Sequence, residues 1–358
     1  MIDKSKCLIT ERFKDHPLFN EMHCGMNFGF MARRGYYSRP EILKQPALMA
    51  EAGVNWTTLN LNVCQEAFYS RRVFLDFEFS SGEEEIARMA DLLHENNIRI
   101  LFKPCLTPLD SSWMGSVRFP SGHQIQEIET HYWEEWFESY TRALVCCAEI
   151  AEKNKIEAMM VGAELYGTEG QSELWRKLIQ RVREKFSGPL TYEFIFTSRK
   201  DYSLDWFDGL DFLSYSYYPP ATDLRDPAQF PTAPKVTRDE MVAYLQDRRP
   251  KIQEISKMFG GKPIIFSEAG VRSAHGCIGQ PADYATNTPY DGEEQAAYMD
   301  ALFTTFSELP EWLGLYWWKW DETQIRPHYH LDPRGNCGFT IQGKPAEAVL
   351  RKWYGRKN

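Results

Sequence analysis

The 358-residue sequence has no run of 18 apolar residues, so no segment reads as a membrane-spanning helix and no membrane partner is expected. Its first residues, MIDKSKCLITERFKDH, lack the apolar core of a secretory leader, and the expectation is a cytoplasmic protein. Positive charge is in deficit. Against 50 Asp and Glu stand 41 Lys and Arg, for a net charge of −9, and no basic patch offsets this, which argues against nucleic acid as a partner. The eight cysteines form no CxxC pair and no even framework, and adjacent Cys146 and Cys147 lie in a helical segment, so all are read as reduced thiols. A doubly wound nucleotide-binding fold would need a Gly-rich phosphate turn after an early strand, and CGMNFG lacks the GxGxxG spacing. Low-complexity blocks and linkers are also missing, so residues 1–358 are read as one domain.

What is present is a repeated pattern. Short apolar runs alternate with helical periodicity eight times. The strand candidates are 23–30, 54–61, 98–104, 157–163, 189–196, 210–215, 263–267 and 312–318. Between and after them, helices are expected over 40–53 (with Ser38 as N-cap), 82–97, 131–153, 172–186, 237–259, 292–306 and 345–354, and a short helical piece over 204–207. Residues 105–129 read as a long loop, a length that usually serves function. Eight strand–helix alternations argue an α/β fold closed into a (β/α)8 TIM barrel.

In such a barrel the chemistry sits where strands end in the C-terminal loops. Two otherwise apolar strands end in acids there, Glu164 in MMVGAELYG and Glu268 in KPIIFSEAG. An unpaired charge so placed is too costly to be accidental. Each acid either closes a structural ion pair or does chemistry. Two glutamates opening on one cleft suit cleavage of a glycosidic bond, one ionised to attack the anomeric carbon and one protonated to release the leaving oxygen. Burial and mutual repulsion hold such a pair apart in proton affinity.

Aromatics make up 14% of the chain, with 11 Trp, and serve either a large core or the stacking of sugar faces. The cluster YWWKWDE, residues 316–322, favours the second use at the end of strand eight. Alternation puts Tyr316, Trp318 and Trp320 on one face, and Trp318 is the candidate sugar platform. Strand six ends in LSYSYYPP, where Tyr217 is placed to hydrogen-bond a neighbouring carboxylate, with Tyr215 and Tyr218 as core or surface residues. Asn27, Asn60, Lys103 and Trp113 lie at or beyond strand ends and are candidate cleft residues; Lys103 serves equally as the partner of a barrel carboxylate. Asp321 and Glu322 anchor the last loop or contact sugar, and Arg33 and Arg34 are read as solvated. His328, His330 and Asp332 make an HxH with a nearby acid, but no partner histidines stand at other strand ends. A surface or subsite loop is preferred, with no metal and no cofactor expected.

The ordered set GMNFGF, LWRKLIQRVREKFSGPLTY, SYSYYP, KPIIFSEAG, YWWKWDE and GFTIQGKPAEAVLRKWYG resembles glycoside hydrolase family 113, over nearly the whole chain. The resemblance implies a retaining barrel glycosidase acting on β-1,4-mannan and mannooligosaccharides. It also implies Glu164 as general acid/base, Glu268 as nucleophile and Tyr217 as the phenol on that nucleophile. Three positions depart from the pattern it implies. Ala163 stands where an Asn precedes the acid/base, Cys105 where a His follows Lys-Pro, and YEFIF where a Trp lies near Asn. All three surround the sugar site, so the expectation is retained catalytic machinery with the identity of the sugar left open, and an oligosaccharide is the expected partner. Alternatives are hydrolysis or transglycosylation of another β-linked sugar (xylo-, gluco- or amino-), or a sugar-binding barrel without catalysis.

Overall fold

The computed structural model describes residues 7–120, 124–125, 128–195, 203–321 and 336–355. His328, His330, Asp332 and Glu322 fall outside them. In chain order the elements are α1 (Pro17–Asn20), β1 (His23–Phe28), α2 (Gln45–Glu51), β2 (Trp56–Gln65), β3 (Val73–Phe74), α3 (Glu83–Glu95), β4 (Arg99–Pro108), β5 (Gln124–Ile125), β6 (Ile128–Glu129), α4 (Tyr132–Lys153), β7 (Ala158–Ala163), α5 (Ser172–Arg183), β8 (Leu190–Phe194), β9 (Leu213–Ser216), α6 (Arg238–Gln246), α7 (Arg249–Met258), β10 (Ile264–Ala269), α8 (Gly292–Phe306), β11 (Trp312–Trp317) and α9 (Pro345–Tyr354). The strand order is β1-β11-β10-β9-β8-β7-β4-β2-β3, and a further β1–β2 pairing joins the ends. Eight of these strands make the closed parallel barrel; β3 is a short antiparallel addition to β2.

Barrel strands are covered on both faces and so read as apolar runs rather than alternations. That is why their positions are visible in sequence and why β1, β2, β7, β8, β9, β10 and β11 are buried throughout. Helices start where caps allow. Glu85 accepts from the Gly82 amide at 3.0 Å at the start of α3, and Thr237 and Glu240 form a reciprocal capping box on α6. Three expectations change. Ser38 closes a short 3₁₀ turn instead of capping a helix, and α2 begins only at Gln45. The expected helix 237–259 is two helices; Pro250, which has no amide to donate, lies in the first turn of α7, where no intrahelical donor is needed. The loop 105–129 is shortened by β4 running on to Pro108 and contains the β5–β6 hairpin.

The chain forms two compact units, residues 29–45 and 59–214 in one, and 1–28, 46–58 and 215–358 in the other. The first is built on an aromatic stack. Trp175 lies flat on Trp206 at 4.6 Å, with Tyr192, Phe137 and Tyr140 edge-on around Trp175. In the second, His23 stacks on Trp56 at 4.4 Å, and its Nδ1 meets the Tyr316 hydroxyl at 2.9 Å. Six of the 11 tryptophans are fully buried, so the core takes most of the aromatic excess.

Candidate active site

β7 ends at Ala163, and the next residue, Glu164, has φ 52°. A non-glycine residue in this left-handed region is strained, and such strain concentrates at functional sites. Two backbone bonds hold it. Its amide donates to the Glu193 carbonyl at 2.8 Å, and its own carbonyl accepts from the Tyr166 amide at 2.8 Å. Register places Ala163 opposite Glu193 of β8, after an irregularity between Met160 and Ala163. Bulges of this kind re-aim the side chains that follow them. The carboxylates of Glu164 and Glu193 lie within 4.8 Å of each other.

Glu193 is a site residue that the strand pattern had not singled out. It carried the same signal as the other two, an acid inside the apolar strand LTYEF. Its partner is Lys103, whose Nζ sits 2.7 Å from Glu193 Oε1 with both side chains essentially sealed from solvent. Of the two roles open to Lys103, the ion pair is the observed one. Asn60 is buried on the next strand and accepts from Cys105 Sγ at 3.2 Å, which occupies its amide oxygen. Trp113 is 45% exposed, with its ring tilted on Tyr166 at 6.2 Å, so a broad aromatic surface is open to solvent.

In the other unit, Glu268 lies one residue before the end of β10 and is 9% exposed. The phenol on it is that of Tyr218, which donates to Oε2 at 3.0 Å. This corrects the assignment of Tyr217. β9 stops at Ser216, and Tyr215 and Tyr217, two apart, share one face. Their rings lie 4.6 Å apart, and Tyr217 packs further on Phe266 and on Phe306 of α8. That is the layer between strands and helices, and burial there pushes the Tyr217 phenol above its ordinary range. Tyr217 serves Glu268 only through its backbone amide, which donates to the Glu268 carbonyl at 2.7 Å.

Asn27 is also corrected, from cleft residue to staple. Fully buried on β1, its amide nitrogen donates to Ser267 O at 2.9 Å and Tyr316 O at 3.3 Å, and its oxygen accepts from Thr58. The expected alternation beyond Tyr316 ends with β11 at Trp317. Tyr316 and Trp317 are fully buried, Trp317 donating to Phe339 O at 3.1 Å, and Trp320 is buried as well. Trp318 remains half-buried just past the strand end, next to a cis peptide to Lys319. Its amide donates to Ala269 O at 2.8 Å, which fixes the indole's backbone beside the β10 end that carries Glu268.

A group able to hold a cation is His275, Asp291 and Glu294. Its imidazole is already engaged, Nδ1 at 3.0 Å from Asp291 and 3.6 Å from Glu294, and Nε2 at 2.9 Å from the Ala233 carbonyl. Burial pulls the His275 imidazole down, but the Ala233 carbonyl and the two carboxylates outweigh it, and its proton affinity is raised on balance. The group therefore reads as an imidazolium clasped by acids. All eight cysteines are free thiols.

An (β/α)8 barrel whose fourth and seventh strands end in glutamates defines a class, the barrel glycosidases. The chain belongs to glycoside hydrolase family 113, whose model matches residues 26–344. Among solved structures it is similar to a family 113 β-mannanase from Alicyclobacillus acidocaldarius in complex with ManMIm, at 26% identity and a TM-score of 0.77, over 94% of this chain and 99% of that one. A family 113 β-1,4-mannanase matches at 25% identity and a TM-score of 0.79, over 94% and 100%. A family 5 mannosidase from Rhizomucor miehei, at 12% identity and a TM-score of 0.62 over 94% and 92%, shares the fold. Comparison with curated protein sequences gives no significant match.

Proposed function

We propose that the protein is a retaining β-mannoside hydrolase acting on β-1,4-linked mannooligosaccharides, with Glu268 as nucleophile and Glu164 as general acid/base. The observation that carries this reading is the Tyr218 phenol, which donates to Glu268 Oε2 at 3.0 Å on the carboxylate at the end of the seventh barrel strand. The family 113 match and the mannanase structures support the substrate class. In the first step a Glu268 oxygen bonds to the anomeric carbon as the glycosidic C–O bond breaks, and Glu164 gives its proton to the departing oxygen. In the second, Glu164, now ionised, takes a proton from water, whose oxygen displaces Glu268 with net retention. Trp318 and Trp113 offer ring faces for sugar stacking in this reading. No cofactor or metal enters the reaction as written. Eight cysteines outside any disulfide are in keeping with a reducing, cytoplasmic setting, where short imported chains would be the substrate.

Glu268→Ala should abolish turnover of every substrate. Glu164→Ala should form the glycosyl-enzyme from activated aryl β-mannosides, stall on mannooligosaccharides and regain turnover with azide. A Glu164→Ala protein that matches wild type on mannooligosaccharides refutes the assignment. A second reading, another β-linked sugar, is favoured by Ala163 and Cys105, which present a methyl and a thiol where the family pattern has polar contacts. A panel of gluco-, xylo- and amino-sugar aryl glycosides decides between them by which one has the highest kcat/KM.

A further inference from the structure

The Lys103–Glu193 pair is more than a barrel strut. An ion pair at 2.7 Å, with side chains 2% and 0% exposed, is costly to desolvate, and apolar residues of similar size commonly replace such pairs without loss of stability. Stability alone therefore gives a weak reason for placing it there. Its placement gives a better one. Lys103 lies on β4 and Glu193 on β8, the two neighbours of β7, so the pair bridges across the strand that delivers Glu164. The Glu193 backbone carbonyl holds the Glu164 amide, and its carboxylate lies within 4.8 Å of Glu164's.

We infer that Glu193 is a positioning residue that keeps the proton on Glu164, and that Lys103 keeps Glu193 ionised and aimed. A like charge at this range disfavours ionisation of its neighbour, and a general acid must hold its proton at neutral pH. The inference rests on the acid/base reading of Glu164. The other charged side chain on the strands flanking β7 is Arg99, at the opposite end of β4. The neutral titratable groups there are Cys105, bonded to Asn60, and Tyr192, whose hydroxyl is on Glu169 at 3.0 Å; Tyr166 follows Glu164. Glu268 is the second acid of the proposed reaction. Of these, Glu193 is the carboxylate whose backbone carbonyl holds the Glu164 amide and whose side chain lies within 4.8 Å of Glu164's in the same unit.

The test is the pH dependence of kcat/KM for Glu193→Gln, measured on mannopentaose and on an activated aryl β-mannoside. On mannopentaose the alkaline limb should move to lower pH by about one unit or more. At neutral pH the loss on mannopentaose should exceed the loss on the aryl substrate, whose leaving group needs little acid, by about tenfold. Glu193→Asp should restore the limb in part. The doubly substituted Lys103→Met/Glu193→Gln protein removes both charges and should shift the limb the same way, by less. Folded variants with an unmoved limb and equal losses on both substrates overturn the inference, as does failure of every variant to fold, which would assign the pair to stability. If instead Glu164→Ala behaves as wild type, it is the acid/base reading that falls; an essential Glu164 with an unmoved limb sinks only the role of Glu193.

Discussion

Tyr218→Phe deletes one oxygen, the donor to Glu268 Oε2 at 3.0 Å, and leaves the ring. Glu268 is 9% exposed, so water does not readily replace the lost donor. Hydrogen bonds to charged groups are worth about 1.5–3 kcal/mol. At about 1.4 kcal/mol per tenfold, the loss in kcat/KM should be about 10- to 150-fold if the bond is fully used in the glycosylation transition state. Tyr217→Phe is the matched control. Its ring contacts with Tyr215, Phe266 and Phe306 survive the substitution, and its amide still meets the Glu268 carbonyl, so kcat/KM should stay within about twofold. The assay is the rate of glycosyl-enzyme formation from an activated aryl β-mannoside, with melting temperatures to show that both proteins are folded. Equal damage from the two substitutions, or a Tyr218→Phe protein with more than half the wild-type kcat/KM, would refute the placement of the phenol and with it the argument for Glu268.

Two further substitutions test features of the unit that carries Glu268. Burial raises Glu294 from its ordinary 4.5 to about 7, with His275 pulling down and Asp291 pushing up. Its folded value is thus above its unfolded one, so its contribution to stability is fully present below the ordinary value and is lost as pH rises through about 7. Glu294→Gln should therefore gain in melting temperature relative to wild type between mildly acidic and mildly alkaline pH, read by calorimetry; a difference that stays constant with pH rejects the sign. At Gly270, two residues past Glu268, an added Cβ would lie 2.5 Å from the Trp318 carbonyl oxygen, so Gly270→Ala must move backbone on one side or the other. It should cost about 1–3 kcal/mol in denaturant unfolding and lower kcat/KM as well, and wild-type values for both would show the contact to be soft.

The barrel was legible because its strands are buried on both faces, and α8 and α9 have the expected bounds, Gly292–Phe306 and Pro345–Tyr354. What failed did so where periodicity ends. The alternation expected over Tyr316, Trp318 and Trp320 stops with β11 at Trp317, whereas Tyr217 keeps the face of Tyr215, which leaves the bond to Glu268 to the phenol of Tyr218. Asn27 looks like a cleft residue because it is polar at a strand end, yet its carbonyl partners lie 240 and 289 positions away, a pairing that no local pattern encodes. Glu193 shows the limit most clearly. Three strands carry or lead directly into a buried or half-buried acid, Glu164, Glu193 and Glu268, and sequence ranks them only by distance from the strand end. The partners separate them better. Glu193 is held by Lys103 at 2.7 Å, a pair that removes it as a nucleophile, since freeing it would strand a buried cation. Glu268 accepts a hydrogen bond from the Tyr218 phenol, a donor aimed at its carboxylate oxygen. Glu164 has a carboxylate neighbour, the environment that favours a proton. The ion pair therefore sets Glu193 apart from the two acids that the strand pattern singles out.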